Sequence, residues 1–330
     1  MACTPFLTLN NGEQMPVLGL GTWQASDEEI ELAVDLALEL GYRHIDTAPV
    51  YGNEQAIGNV LKRWLDAGKV QREDLYIVTK LPPIANRPHE VLPMLTKSLA
   101  DLQLDYVDMY LIHTPFTVLI NADGNFQFDA AGLLKVDPTT NHAATWAEME
   151  KLVEKDLAKS IGVSNFSQEQ LERLLQSCSI PPATNQIEHH VYLQQRELVD
   201  FCQAQNITIT AYSPLGSKGI ARMNAAAGVP RDLPDLFDIT EVKEIAAIHN
   251  KTPAQVLLRW IVQSNKMAAI PKSANAQRLK ENFDIFDFEL TSEQLETLCG
   301  LDQNIRICDF AFYRGVEKHP EFTFKNQFTD

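Results

Sequence analysis

Four ionisable side chains of this chain lie at or just beyond the ends of three short apolar runs. Asp46 ends the first run and Tyr51 lies a few residues beyond it, while Lys80 and His113 end the second and third runs. Catalytic groups collect at the carboxyl ends of the strands in a parallel β/α barrel, so this order predicts one shared pocket. Together, these four residue types predict a site for proton transfer.

The four groups divide the chemistry between them. A tyrosine phenol has an ordinary pKa near 10, and a nearby ammonium is expected to lower that pKa by stabilising the phenolate. We therefore predict Tyr51 as the general acid and Lys80 as its activator, with Asp46 as the partner of Lys80. His113 would orient a substrate carbonyl. None of these groups supplies a hydride, so a redox reaction requires a cofactor.

Each of these residues, taken alone, has a structural alternative. Asp46 could cap the next turn, Lys80 could be a solvated strand-end charge, and His113 could be a hydrogen-bonded core histidine. Their joint placement at consecutive strand ends favours the catalytic interpretation.

The elements that would position these residues alternate between β-rich runs and amphipathic stretches. Strands are predicted at 17–20, 42–46, 75–79, 107–112, 160–163, 184–188, 207–212 and 268–271. Helices are predicted at 28–40, 53–67, 88–101, 143–156, 168–177, 194–204, in two segments across 240–264, and at 276–283. Eight strands separated by helices predict a parallel sheet closed as an α/β (β/α)8 TIM barrel. The segment 6–15 predicts a β-hairpin that caps one end.

Three long irregular stretches interrupt this alternation, at 115–142, at 213–239 and in the C-terminal tail, 300–330. Irregular segments of this length are usually functional or disordered. The first two follow strands directly, and the tail is rich in aromatic residues (Phe310, Phe312, Tyr313, Phe322 and Phe324). We therefore predict a substrate pocket built from these loops at the catalytic face of a single barrel domain, 1–330.

The composition limits the partners of the protein. Its 330 residues include 28 Lys and Arg against 44 Asp and Glu, a formal net charge of −16. This charge argues against broad binding to nucleic acid or membrane surfaces, although a local basic cluster can still bind one phosphorylated ligand. Five scattered cysteines (Cys3, Cys178, Cys202, Cys299 and Cys308) predict free thiols in a reducing compartment. We expect a cytoplasmic monomer. We expect no metal site, since His189-His190 lacks metal-ligand spacing.

Several phrases of the chain resemble signatures of the aldo-keto reductase family. They are Gly41-Tyr-Arg-His-Ile-Asp46-Thr-Ala, Tyr51-Gly-Asn-Glu, Val78-Thr-Lys80-Leu, Leu111-Ile-His113, Ile161-Gly-Val-Ser164-Asn165-Phe, Asn185-Gln186-Ile-Glu and Ile270-Pro-Lys272-Ser273. They occur in the family order, and the match covers residues 6 to 325. The resemblance is to aldose- and aldehyde-reductase-like members, with a general similarity to insect members. It implies a barrel enzyme that uses NADPH to reduce carbonyl groups to alcohols, with the four strand-end residues as its catalytic tetrad.

The resemblance also implies a cofactor site. Ser164, Asn165 and Gln186 would bind the nicotinamide carboxamide, Tyr212 would stack on the ring, and Gly21, Thr22 and Trp23 would line that end of the pocket. Ser213, Leu215 and Ser217 would surround the pyrophosphate, and Glu281 and Asn282 would contact the adenine. Lys272 and Arg278 would bind the 2′-phosphate, and Ser273 in the same segment is also expected to bind the cofactor. Lys272, Arg278 and Lys280 are concentrated at a predicted helix start, which suits a phosphate. The alternatives are helix caps for Ser164 or Asn165, a core ring for Tyr212, and a solvated face for the basic residues.

Two positions depart from the aldose-reductase-like pattern. Pro82 and Thr114 stand where those members carry tryptophan, which leaves Trp23, Val50, Thr114, Phe116 and the tail as the predicted substrate pocket. We expect a wider pocket that accepts bulky ketones or steroids. The alternatives are a dedicated 3-oxo-ecdysteroid reductase and a non-catalytic barrel that binds cofactor in a structural or regulatory role. The intact tetrad argues against the second alternative.

Overall fold

The computed structural model describes residues 4–264 and 267–324. Its strands are β1 (Phe6–Thr8), β2 (Gln14–Pro16), β3 (Gly19–Gly21), β4 (His44–Asp46), β5 (Tyr76–Leu81), β6 (Val107–Ile112), β7 (Ala158–Ser164), β8 (Thr184–Glu188), β9 (Thr208–Tyr212) and β10 (Ala268–Ala269). Its helices are α1 (Asp27–Leu40), α2 (Glu54–Asp66), α3 (Val91–Leu102), α4 (His142–Glu154), α5 (Gln168–Leu175), α6 (Arg196–Ala204), α7 (Lys218–Ala226), α8 (Thr240–His249), α9 (Pro253–Ser264), α10 (Ala276–Phe283) and α11 (Ser292–Cys299).

The central sheet is a parallel barrel. Strands β3 to β10 lie side by side in chain order, and each neighbouring pair is parallel. The amide of Ala269 donates to the Val17 carbonyl at 2.8 Å, and the amide of Gly21 to Pro271 at 3.1 Å, which joins the last strand to the first. A Cβ at Gly21 would lie 2.6 Å from the Ile270 carbonyl oxygen, so glycine permits this closure. The predicted (β/α)8 fold is confirmed.

Local signals fix the helices around the barrel. Helix α1 begins with a capping box between Ser26 and Glu29 and ends at Gly41, whose φ of 104° is left-handed. Its buried face includes Ile30 and Ala37, which pack against the outside of the strands. Because helices cover the outer face and side chains fill the interior, the strands are buried on both faces.

The hairpin of β1 and β2 closes the lower end of the barrel, as predicted. Leu9 and Met15 pack there against interior side chains of β5 and β6, including Val78 and Leu111. Successive side chains of a strand point to opposite faces, so Tyr76, Val78 and Lys80 share the interior face of β5. Lys80 is therefore the last interior residue of β5, above Val78 and close to the upper end of the barrel.

One of the three stretches predicted to be irregular contains a helix, and one further helix was not predicted. The stretch 213–239 contains helix α7, and α11 follows a Thr291 capping box that was not used for prediction. The stretch 115–142 is folded back on itself by antiparallel bridges, such as Val118 with Val136. From 300 to 324 the tail is irregular apart from a short 3₁₀ turn, and 325–330 lie outside the described residues.

Two further findings concern the described ranges. Cys178, Cys202, Cys299 and Cys308 are free thiols, as predicted, while Cys3 lies outside these ranges. Within 4–264 and 267–324, no helix is both long and apolar enough to cross a membrane.

Candidate active site

Lys80 lies at the centre of the site and is fully buried. Its Nζ donates to Asp46 Oδ1 at 2.6 Å and to the Thr47 carbonyl at 3.0 Å, and lies 3.4 Å from Tyr51 Oη. The side chains of Lys80 and Asp46 are 0% and 3% exposed. A buried ammonium persists only with such partners. Lys80 is therefore not a solvated strand-end charge.

Tyr51 and His113 face each other across the upper end of the barrel. Tyr51 ends a 3₁₀ turn, Pro49–Tyr51, and the left-handed Gly52 that follows turns the chain away. The rings of Tyr51 and His113 are 5.7 Å apart and nearly perpendicular, at 82°. The structure thus brings all four predicted catalytic residues together.

Burial dominates the electrostatics of the site. Desolvation, followed by the charge of Asp46, raises the pKa of Tyr51 well above its ordinary value. This is opposite to the predicted lowering by Lys80. Desolvation and the Lys80 ammonium hold the pKa of His113 well below its ordinary value. At neutral pH the site therefore contains a protonated phenol and a neutral imidazole.

Gln186 on β8 connects β7 and β8 to the ion pair of Asp46 and Lys80. Its Nε2 donates to Asp46 Oδ2 at 2.7 Å, and its backbone carbonyl accepts from Ser164 Oγ at 2.9 Å. The second carboxylate oxygen of Asp46 is thus satisfied by a residue that the sequence placed only in the cofactor site. This role of Gln186 was missed because it depends on a contact across the barrel.

Asn165 follows β7 in the left-handed conformation, with φ of 65°. Its Nδ2 donates to the His113 carbonyl at 2.9 Å, and its Oδ1 accepts from Tyr212 Oη at 2.8 Å. Helix α5 is capped by Ser167, so the cap alternative for Ser164 and Asn165 is wrong. Tyr212 lines the cavity, so it is not a core ring.

A cavity of about 1010 Å³ crosses the barrel mouth and includes Asp46, Tyr51 and His113 in its wall. Every residue predicted for the cofactor lines it: Gly21, Thr22, Trp23, Ser164, Asn165, Gln186, Tyr212, Ser213, Leu215, Ser217, Lys272, Ser273, Arg278, Glu281 and Asn282. The predicted substrate residues Trp23, Val50, Thr114 and Phe116 line it too. Lys80 lies behind this wall, consistent with a role exerted through Tyr51.

One end of the cavity is basic. Helix α10 begins there, with Asn275 as its N-cap accepting from the Arg278 amide at 3.0 Å. Lys272 and Arg278 are exposed, and neither forms an ion pair with a carboxylate among the described residues. Two cations at a helix N-terminus, with no carboxylate partner in the described part of the chain, fit a phosphate group. The Lys280 of the predicted basic cluster is outside the cavity wall.

Comparison with known proteins agrees with this geometry. The model of the aldo/keto reductase family matches residues 17–303. This chain belongs to that family. Aldo-keto reductase family 1 member A1 of Rattus norvegicus is 43% identical over 299 residues, which cover 90% of this chain and 89% of that protein. An aldo/keto reductase of Synechocystis is 44% identical, covering 93% and 92%. The aldose reductase structure from Schistosoma japonicum matches with a TM-score of 0.88 at 40% identity, covering 98% and 99%. These relatives support carbonyl reduction by an oxidoreductase.

The other end of the cavity of this aldo-keto reductase is aromatic. Phe310, Phe312 and Tyr313, which we call the substrate wall, line it, so part of the predicted aromatic tail does cover the mouth. Phe322 and Phe324 pack behind them, with the Phe322 ring 5.5 Å from Phe116.

The long loops add lining residues that sequence reasoning missed. Val118, Phe126 and Leu134 come from 115–142, and Cys308 from the tail. The amide of Leu134 donates to the Arg314 carbonyl at 2.7 Å, which joins loop and tail. Their apolar pattern alone could not assign them to the pocket.

The two positions that depart from the aldose-reductase-like pattern differ in their effect. Thr114 lines the cavity, whereas Pro82 is buried outside its wall. Pro83 and Ile84 take part in the lining instead. Only the Thr114 change therefore acts directly on the cavity.

Proposed function

We propose that this chain reduces aldehydes and ketones to alcohols with NADPH, using Tyr51 as the general acid. The observation that carries the proposal is the buried Lys80, held by Asp46 and placed 3.4 Å from Tyr51 Oη at a cavity wall. A reduced nicotinamide, when bound, supplies the hydride. Ser164, Asn165 and Gln186 would hold its carboxamide, and Tyr212 its ring.

The chain's own residues handle the proton. Tyr51 Oη donates its proton to the carbonyl oxygen as negative charge develops there. The phenolate left behind is stabilised by the Lys80 ammonium, which Asp46 and the Thr47 carbonyl hold in place. Burial keeps the phenol protonated until the transfer, so the acid is always loaded at neutral pH.

His113 acts as a neutral hydrogen-bond donor to the same oxygen. Its Nδ1 is buried without a hydrogen-bond partner among the described side chains and backbone groups, so we assign its proton to Nε2. The Lys80 charge helps to keep the ring neutral. A neutral donor orients the carbonyl without competing with Tyr51 for proton donation.

The preference for NADPH rests on Lys272 and Arg278. Both cations stand beside the α10 N-terminus in a chain of net charge −16, and neither is neutralised by a carboxylate among the described residues. A phosphate on the adenosine ribose would neutralise both cations, whereas a free hydroxyl carries no charge that could do so.

The preferred substrates are neutral and apolar. The lining residues between 83 and 134 and between 308 and 313 include no charged side chain, because His113 is neutral. An anionic carbonyl compound would lose its hydration there without gaining a cation. Small Thr114 and the aromatic wall favour bulky aromatic carbonyls, and 3-oxo-steroids belong in the test panel on the same ground.

Tyr51→Phe tests the mechanism. We expect kcat for aldehyde reduction to fall about 10²–10⁴-fold, the usual contribution of a general acid, while NADPH affinity changes by less than about twofold. Tyr110→Phe is the matched control, since the Tyr110 hydroxyl is buried without a partner among the described residues. It should leave kcat unchanged. Equal rates for Tyr51→Phe and the unmodified protein would refute the mechanism. NADPH binding without turnover of any carbonyl compound would favour the non-catalytic barrel.

A further inference from the structure

Glu188, the last residue of β8, is a fully buried carboxylate that the proposed reaction does not use. It accepts hydrogen bonds from the backbone amides of Ile307 at 2.7 Å and Cys308 at 2.8 Å, both in the tail. His190 Nε2 lies 2.8 Å from Glu188 Oε1. A strand-end side chain therefore binds the backbone of a segment far along the chain.

Arg306 strengthens the same connection. Its guanidinium lies 3.9 Å from Glu188 Oε2 and donates to Gln195 Oε1 at 3.0 Å. Gln195 in turn donates to the Glu188 carbonyl at 2.6 Å. The guanidinium also lies over the Phe324 ring, 4.1 Å from its centroid, behind the substrate wall.

The charge of Glu188 is kept in spite of its burial. Desolvation alone would raise the pKa, but His190, Arg306 and the Ile307 amide together lower it below its ordinary value. A buried carboxylate is costly unless its oxygens are hydrogen-bonded, so the tail amides and Glu188 depend on each other.

The backbone amides of Ile307 and Cys308 lie shortly before the residues that form the aromatic end of the cavity. Cys308 lines the cavity itself, and Phe310, in the left-handed conformation with φ of 63°, begins the substrate wall. On the barrel side, Gln186 shares the interior face of β8 with Glu188, since the two are separated by one residue. Glu188 thus fixes the tail to the strand that contacts Asp46.

We propose that Glu188 is a positioning residue that holds the substrate wall (Phe310, Phe312 and Tyr313) across the cavity from Tyr51, and so sets the preference for bulky over small carbonyl substrates. This rests on the proposed function. A small aldehyde contacts Tyr51 and His113 but makes few contacts with the substrate wall. A bulky aromatic aldehyde needs the contacts with the wall as well. Loosening the wall therefore affects the two substrates unequally.

The test compares propanal with naphthaldehyde in the full-length protein carrying Glu188→Gln. We expect the ratio of kcat/KM values, naphthaldehyde over propanal, to fall about tenfold, the size of one lost hydrogen bond to a charged group. The kcat for propanal and the Kd for NADPH should stay within about twofold. Arg306→Gln, which alters the tail and leaves the strand unchanged, should shift the ratio in the same direction. An unchanged ratio, or equal losses on both substrates, would overturn the proposal.

Glu321→Gln is the matched control. Glu321 is another tail carboxylate, bonded to Gln170 at 2.8 Å on α5, and it does not line the cavity. It should leave the substrate ratio unchanged. Amide hydrogen exchange over 306–313 gives a readout independent of turnover: Glu188→Gln should accelerate exchange and Glu321→Gln should not. Faster exchange in a protein that reduces neither aldehyde would refute the proposed function but keep the anchor, and unchanged exchange in an active protein would refute the anchor.

Discussion

Replacing Lys80 by methionine removes the buried ammonium and leaves the Asp46 carboxylate without an ion-pair partner among the described residues. The lost contact is a 2.6 Å hydrogen bond between side chains that are 0% and 3% exposed. Removing one member of a buried ion pair typically costs about 3–5 kcal/mol, because the remaining charge stays buried. Asp46 keeps its 2.7 Å bond from Gln186, so we expect a loss near the lower end of that range.

The double variant Asp46→Asn and Lys80→Met separates stability from catalysis. It removes both charges, and replacing a buried pair by neutral groups of similar volume is often close to neutral. We therefore expect the double variant to lose less than about 2 kcal/mol, well below the sum of the single variants. Its kcat should still be reduced at least about 10²-fold, since no ammonium stabilises the Tyr51 phenolate.

Urea unfolding followed by circular dichroism gives the stabilities, and steady-state kinetics with saturating NADPH gives kcat. Additive stability losses in the single and double variants would refute strong coupling between Asp46 and Lys80. Recovery of kcat in the double variant would refute the role of the ammonium in the reaction. The stability result and the kinetic result test these two claims independently.

Two further predictions concern pH and cofactor choice. The pKa of His113 lies well below 6.5 and that of Tyr51 well above 10.0. We therefore expect kcat/KM for reduction to be flat between about pH 6.5 and 9. An inflection near pH 7 that is abolished by Tyr51→Phe or His113→Gln would contradict these directions. Because the folded pKa of His113 is lowered, the unfolded chain takes up this proton first, so the unfolding free energy should fall as pH drops below about 6.5. Replacing Lys272 and Arg278 by methionine should raise the Kd for NADPH about 10–100-fold and leave that for NADH within about twofold, as titration by protein fluorescence would measure. Lys280→Met is the control, and an equal effect on both cofactors would show that the two cations do not select the phosphate.

The barrel and the positions of the site residues were predictable because local signals determine them. Capping residues such as Ser26 and Gly41 fix where a helix begins and ends. The period of two along a strand then decides which residue points inward, so Lys80 follows Val78 into the barrel interior. Once the strands are parallel and in chain order, their final polar residues must meet at one end.

Features that depend on distant contacts were not predictable. Helix α7 buries Ile220 against Ile307 and Cys308 of the tail, so its local sequence gave only part of the reason for it to form. Glu188 likewise has no signature as an anchor, because its partners are backbone amides that any sequence provides. Helix α11 is different, since Thr291 and Gln294 gave a usable signal that was overlooked.

The wrong direction for the pKa of Tyr51 has an instructive cause. The sequence indicates that an ammonium is near the phenol, but not that the phenol is buried, and burial followed by the charge of Asp46 raises the pKa. A raised pKa changes what Lys80 must do. It does not ionise Tyr51 before the reaction; it stabilises the phenolate that appears only as the proton leaves. Such an interaction is made mainly in the transition state and is the kind that raises kcat rather than substrate affinity. Lys80→Met should therefore lower kcat while leaving the KM for the carbonyl substrate nearly unchanged.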